Sequence, residues 1–123
     1  EYSKPKLSST MINSNEIVSV TVSVSNTGNY DGDEVVQMYI RDQVSSVTRP
    51  VKELKGYKRI FLKKGETKEV FFDIDKSTLA FYDINMKYCV EPGDFTIMVG
   101  SSSNDRDLKS TKLTVKNRID VND

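Results

Sequence analysis

The feature that most limits what this chain can become is a strict two-residue alternation. Val18, Val20, Val22 and Val24 alternate with Ser19, Thr21, Ser23 and Ser25. Successive side chains of a strand point to opposite faces, so the run predicts a β-strand with its valines buried and its hydroxyls in water. A one-residue slip would turn every valine to solvent, which sets the register firmly. Asn26-Thr27-Gly28-Asn29 then supplies turn chemistry, and Asp31-Gly32 repeats it.

The same period returns along the chain. Glu34 to Arg41 places Val36, Met38 and Ile40 on one face and Gln37, Tyr39 and Arg41 on the other. Gly56 to Leu62 is β-prone, with its inward face open between Tyr57/Phe61 and Ile60/Leu62. The turn Lys63-Lys64-Gly65-Glu66 leads into Thr67 to Ile74, where Val70, Phe72 and Ile74 share a face. Glu91-Pro92-Gly93-Asp94 turns into a strand with Phe95, Ile97 and Val99 together, and a last strand carries Leu113 and Val115. With a first strand near Lys6 to Thr10, these make about seven short strands punctuated by turns, the pattern of an all-β, immunoglobulin-like antiparallel sandwich. A single helical turn is expected over Lys76 to Leu79, capped by Asp75 or Ser77.

At 123 residues the chain has the length of one domain, enough to bury a core without a metal or disulfide staple. The sandwich is expected over residues 1–116, followed by a polar C-terminal tail, 117–123, that frays. Two stretches do not fit a minimal sandwich: the long connection Gln43 to Lys55 and the aromatic-rich segment Phe81 to Val90. The start at Glu1, with no methionine or signal peptide, reads as a fragment or processed piece.

Composition removes several kinds of chemistry. Eighteen basic and eighteen acidic residues cancel, leaving no electrostatic footprint for nucleic acid or an anionic membrane. No run approaches the ~20 apolar residues of a membrane span. Histidine is absent, and with it the commonest general base and a common zinc ligand. Cys89 is the sole cysteine, so it is expected as a buried structural residue. Glu34, Asp42, Glu69, Asp73 and Asp94 fall on expected outward faces or strand ends, where a carboxylate is solvated and not tuned as a general acid. Asp31-Gly32-Asp33-Glu34 lacks the spacing of an EF-hand loop and reads as a turn. Catalytic, metal-binding and cofactor residues are therefore all expected to be none.

Binding is a different matter. Tryptophan is absent, but Tyr30, Tyr39 and Tyr88 are candidates for exposed rings that touch carbohydrate, against the alternative of cross-strand packing. The loop around Arg49-Pro50 is more suggestive, since Pro50 stiffens the chain and holds Arg49 extended. Arginine flanked by Val47, Val51 and Leu54 has the composition of a docking surface, or of a loop folded back on its own sandwich.

With those residues in view, the sequence resembles the fibronectin type III-like domain that ends many family 3 glycoside hydrolases, the β-glucosidase and β-xylosidase family. The matching residues run from Val24-Ser25-Asn26-Thr27-Gly28 through Gly32-Asp33-Glu34-Val35-Val36-Gln37-Met38-Tyr39-Ile40. They continue with Arg49-Pro50-Val51-Lys52-Glu53-Leu54-Lys55-Gly56-Tyr57 and Leu62-Lys63-Lys64-Gly65-Glu66. They close with Glu91-Pro92-Gly93-Asp94-Phe95 and Val99-Gly100-Ser101-Ser102. The resemblance implies a non-catalytic accessory domain that packs against upstream catalytic domains of one polypeptide and stabilises them. It places that interdomain contact at Arg49, Pro50, Lys52, Glu53, Leu54 and Tyr57. It points to an exported parent, periplasmic or secreted, without settling the compartment. A carbohydrate-binding module and a free-standing extracellular interaction domain stay open as alternatives.

Overall fold

The computed structural model describes residues 1–12, 16–42, 53–82 and 85–121. In chain order these form β1 (Lys6–Leu7), β2 (Met11–Ile12), β3 (Val18–Ser25), β4 (Gly32–Asp42), β5 (Glu53–Leu62), β6 (Thr67–Ile74) and the helical turn α1 (Lys76–Leu79). Then follow β7 (Phe81–Tyr82), β8 (Tyr88–Val90), β9 (Gly93–Gly100), β10 (Leu108–Val115) and β11 (Ile119–Asp120). A smaller sheet has the order β1-β3-β6, a larger one β2-β10-β9-β4-β5, and a third, short sheet β11-β8-β7.

The valine row behaves as its period dictates. Every valine of β3 is buried, and the residues between them are only half-buried. Val22 pairs with Val70, Val20 with Phe72 and Val18 with Ile74 across β3 and β6, so the two strands present one apolar face. Opposite them, the larger sheet contributes Val36, Met38 and Ile40 from β4, Phe95, Ile97 and Val99 from β9, and Leu113 and Val115 from β10. These residues form one core between the sheets, as a β-sandwich requires. The expected all-β sandwich is thus the observed fold, with α1 capped by Asp75.

Four details differ from the sequence reading. The first strand is interrupted: β1 pairs antiparallel with β3, whereas β2 pairs in parallel with β10, Met11 lying opposite Thr114. One stretch of chain thereby joins both sheets, and counting β1 and β2 as its two halves the main sheets hold seven strands. Second, Phe81 to Val90 is not merely irregular. Phe81 pairs with Cys89 and Tyr82 with Tyr88, a short ladder that fixes the buried Cys89 beside the sandwich. Third, the chain beyond Asn117 returns: Ile119 pairs with Val90 and is buried in the core. Burying one large aliphatic side chain holds this polar stretch down. Fourth, Glu34, expected outward or at a strand end, lies near the start of β4 with the inward parity of Val36 and Met38 and sits half-buried at the mouth of the sandwich.

Candidate functional site

The sequence pointed to a docking segment from Arg49 to Tyr57. Arg49, Pro50 and Lys52 lie outside the described residues, and Glu53, Leu54 and Tyr57 open β5. The register of β5 against β4 decides where their side chains go. Gly32 pairs with Leu62, Val35 with Arg59, Gln37 with Tyr57 and Met38 with Gly56. Leu62 is buried and Ile60 half-buried, so the ambiguity in this strand resolves inward for Ile60/Leu62 and outward for Tyr57/Phe61.

A bulge then changes the parity. The pairing shifts between Met38 and Tyr39, so that Tyr39 meets Leu54 and Lys55 is the extra residue. A bulge sets two residues of one strand against one of its partner, and here it returns Leu54 to the side on which Tyr57 stands. Without it, strict alternation would have put Leu54 and Tyr57 on opposite faces. The outer face of β4 and β5 consequently carries Val35, Leu54, Tyr57 and Phe61, with relative exposures of 38%, 50%, 69% and 47%. Phe61 and Val35 were not among the residues singled out beforehand. The unresolved parity of Gly56 to Leu62 held the signal for Phe61.

Charge frames this apolar row. Arg59 Nη2 donates to Asp33 Oδ2 at 2.6 Å across the two strands, and that hydrogen bond holds the guanidinium's proton still more firmly. Both partners are well exposed, so the pair orients side chains more than it stabilises the fold. Lys55 pairs with Glu53 at 3.4 Å. Lys58, on the inner parity, folds its ammonium over the Phe72 ring at 5.4 Å from the centroid, covering the gap between β5 and β6 with its stem.

The remaining candidate chemistry is committed to structure. Asp31 accepts from the Lys64 amide at 2.7 Å, Asp33 from Arg59, and Glu34 from the Val35 amide at 3.0 Å, so the expected turn accounts for the acidic cluster. Among the described residues no three metal-ligating side chains gather. Asp75 accepts from the Ser77 hydroxyl at 2.7 Å and the Thr78 amide at 3.0 Å. The Ser77 bond above all holds its carboxyl below the usual range, the opposite of what a general acid needs. The Tyr2 hydroxyl is shut off from solvent and lies near the Glu34 carboxylate, without a hydrogen bond of good geometry. Burial first, and the neighbouring charge of Glu34 second, push its titration up.

The three tyrosines considered for sugar contact separate. Tyr30 is exposed, Tyr39 is buried with its hydroxyl donating to Gln37, and Tyr88 is half-buried against the core. They form no shared platform. Among the described residues, no helix is long and apolar enough to cross a membrane.

Comparison with known proteins agrees with this geometry. The fibronectin type III-like domain family matches residues 34–103, from the start of β4's apolar row to the loop after β9. A β-xylosidase from Formosa agariphila is 53% identical over 116 residues, which are 94% of this chain and 16% of that protein. The thermostable β-glucosidase B of Acetivibrio thermocellus is 41% identical over 128 residues, covering 99% of this chain and 17% of its own length. Among solved structures, a β-glucosidase from Erythrobacter marinus superposes with a TM-score of 0.86 at 36% identity, over 94% of this chain and 15% of that one. This chain therefore spans about one sixth of the length of these two curated relatives.

Proposed function

The chain belongs to the fibronectin type III-like domain family, and from that premise we propose that it is the non-catalytic, C-terminal accessory domain of a larger β-glucosidase- or β-xylosidase-like hydrolase. In this reading the domain packs against the catalytic domains of the same polypeptide and stabilises them, through the segment from Arg49 to Tyr57. The observation that carries it is one of proportion. Relatives named as glycosidases align with nearly all of this chain, yet the chain accounts for only 16–17% of the first two. A sandwich in which Asp31, Asp33 and Asp75 serve a turn, a strand pair and a cap suits a supporting part.

The test is hydrolysis of aryl β-glucosides and β-xylosides. The 123-residue chain is expected to turn over neither, and the longer polypeptide that carries it to turn over at least one. Turnover that disappears when a carboxylate within these residues is replaced would overturn the reading.

Carbohydrate contact is a second reading, favoured by one observation. Tyr57 and Phe61 both stand outward on β5, four positions and hence roughly 13 Å apart. Retardation of the chain in gels containing soluble β-glucan, lost in Tyr57→Ser, would support it.

A further inference from the structure

We propose that the outer face of β4 and β5 is the surface on which the rest of the same polypeptide rests, with Leu54, Tyr57, Phe61 and Val35 as its apolar centre. This deepens the proposed function and rests on it. It names a sheet face, extending well past the loop at Arg49, and it assigns Phe61 and Val35 to the contact.

Three observations point the same way. The face is unusual within its own molecule: Phe61, Tyr57 and Leu54 are each about half exposed or more on one strand. The matching face of β3 shows a row of serine and threonine instead. Next, the bulge at Lys55 gathers Leu54 and Tyr57 onto one side, which strand geometry alone would not do. Third, the free edge of β5 is unsuited to pairing with another strand. Lys55, Lys58, Lys63 and Lys64 lie along or just beyond it, and lysines on an edge oppose strand addition. The invitation is to the face, and the partner it fits has an apolar centre.

Size then chooses the occupant. Two strands of this length offer roughly 30 Å by 10 Å, about 300 Å², well under the ~800 Å² each partner gives to a standard interface. A separate second copy would be held weakly. A covalently joined neighbour needs less area, because the tether supplies a high effective concentration.

Phe61 and Phe71 provide a matched pair for the test, since they are 47% and 49% exposed on opposite outer faces of the sandwich. Hydroxyl-radical footprinting of the full-length polypeptide compares them within one sample. Phe61 is expected to be modified at least about fivefold more slowly than Phe71, with Tyr57 protected alongside it, as in the dry centre of an interface. Equal rates, or a slower Phe71, overturn the proposal. Protection that vanishes on dilution assigns the face to a second copy, and protection that appears only with added β-glucan assigns it to sugar; either overturns it too. Assaying the same sample on aryl glycosides separates the two claims. Active polypeptide with equal rates leaves the glycosidase reading standing and removes this face, whereas a polypeptide without a hydrolase domain removes both.

Discussion

The two outer faces of the sandwich enclose the same core and are built in opposite ways. On the smaller sheet, Ser19, Thr21, Ser23 and Ser25 stand outward and are matched by polar partners on β6. Ser25 and Thr67 share a hydrogen bond of 2.7 Å, and Ser19 donates to Asp73 at 3.4 Å. Phe71 is the exception there. On the larger sheet, the outer face of β4 and β5 sets Val35, Leu54, Tyr57 and Phe61 among the polar Gln37 and Arg41 and the Arg59–Asp33 pair. A face that only meets water can be made of hydroxyls. Apolar side chains left in solvent add little burial to the isolated fold, and the proposed contact would account for them.

Three measurements would break or sharpen that contrast, beginning with the largest effect. Leu62 and Phe61 are neighbours on β5, one buried and one outward. Leu62→Ala should cost about 2–5 kcal/mol in chemical denaturation, through lost burial and the cavity left behind. Phe61→Ser should stay within about 0.5 kcal/mol in the same assay, as a surface substitution does. Equal losses at the two positions would break the comparison, because the outer aromatic would then be serving the fold.

The next effect tests the polar side. Asp75 caps α1 at the end of β6, and Asp75→Ala should cost about 1 kcal/mol near neutral pH. The sign with pH follows from its lowered titration. A carboxyl with a depressed folded value stabilises above its unfolded value of about 3.9 and loses that contribution as pH falls through the folded value. Urea titrations of both proteins at neutral and strongly acidic pH should therefore show the difference shrinking in acid. A difference that grew in acid would contradict the capping account. The smallest effect belongs to Tyr2, whose shielded hydroxyl lies near Glu34 without a well-formed hydrogen bond. Tyr2→Phe should change stability by no more than about 1 kcal/mol, in the stabilising direction, since it removes an unsatisfied polar group. A clear loss would mean that the hydroxyl is bonded to Glu34.

The contrast also marks what could be read in advance. The inner faces were legible because each core strand repeats a period of two over enough residues to fix its parity, as Val18 to Val24 and Val70 to Ile74 do. The cap at Asp75 and the turn at Gly65, where φ is 79°, were legible from local chemistry. The outer face of β5 was not. Its parity depends on where a bulge falls, and that is decided by pairing with β4, a partner elsewhere in the sequence. Long-range pairing likewise hid the parallel β2–β10 contact and the return of Ile119, each only two residues long. Too short to show a period, such segments are held by the sheet they join.

The interrupted first strand has a consequence for how the chain is made. During synthesis from the N-terminus, β1 can find β3 early, since Lys6 pairs with Thr21. The other half must wait, because Met11 pairs with Thr114. Until the last main strand has left the ribosome, the nascent larger sheet lacks its edge and the buried Ile12 has no seat. That edge therefore cannot close before β10 is made, and a truncated product lacking β10 would leave part of the core uncovered.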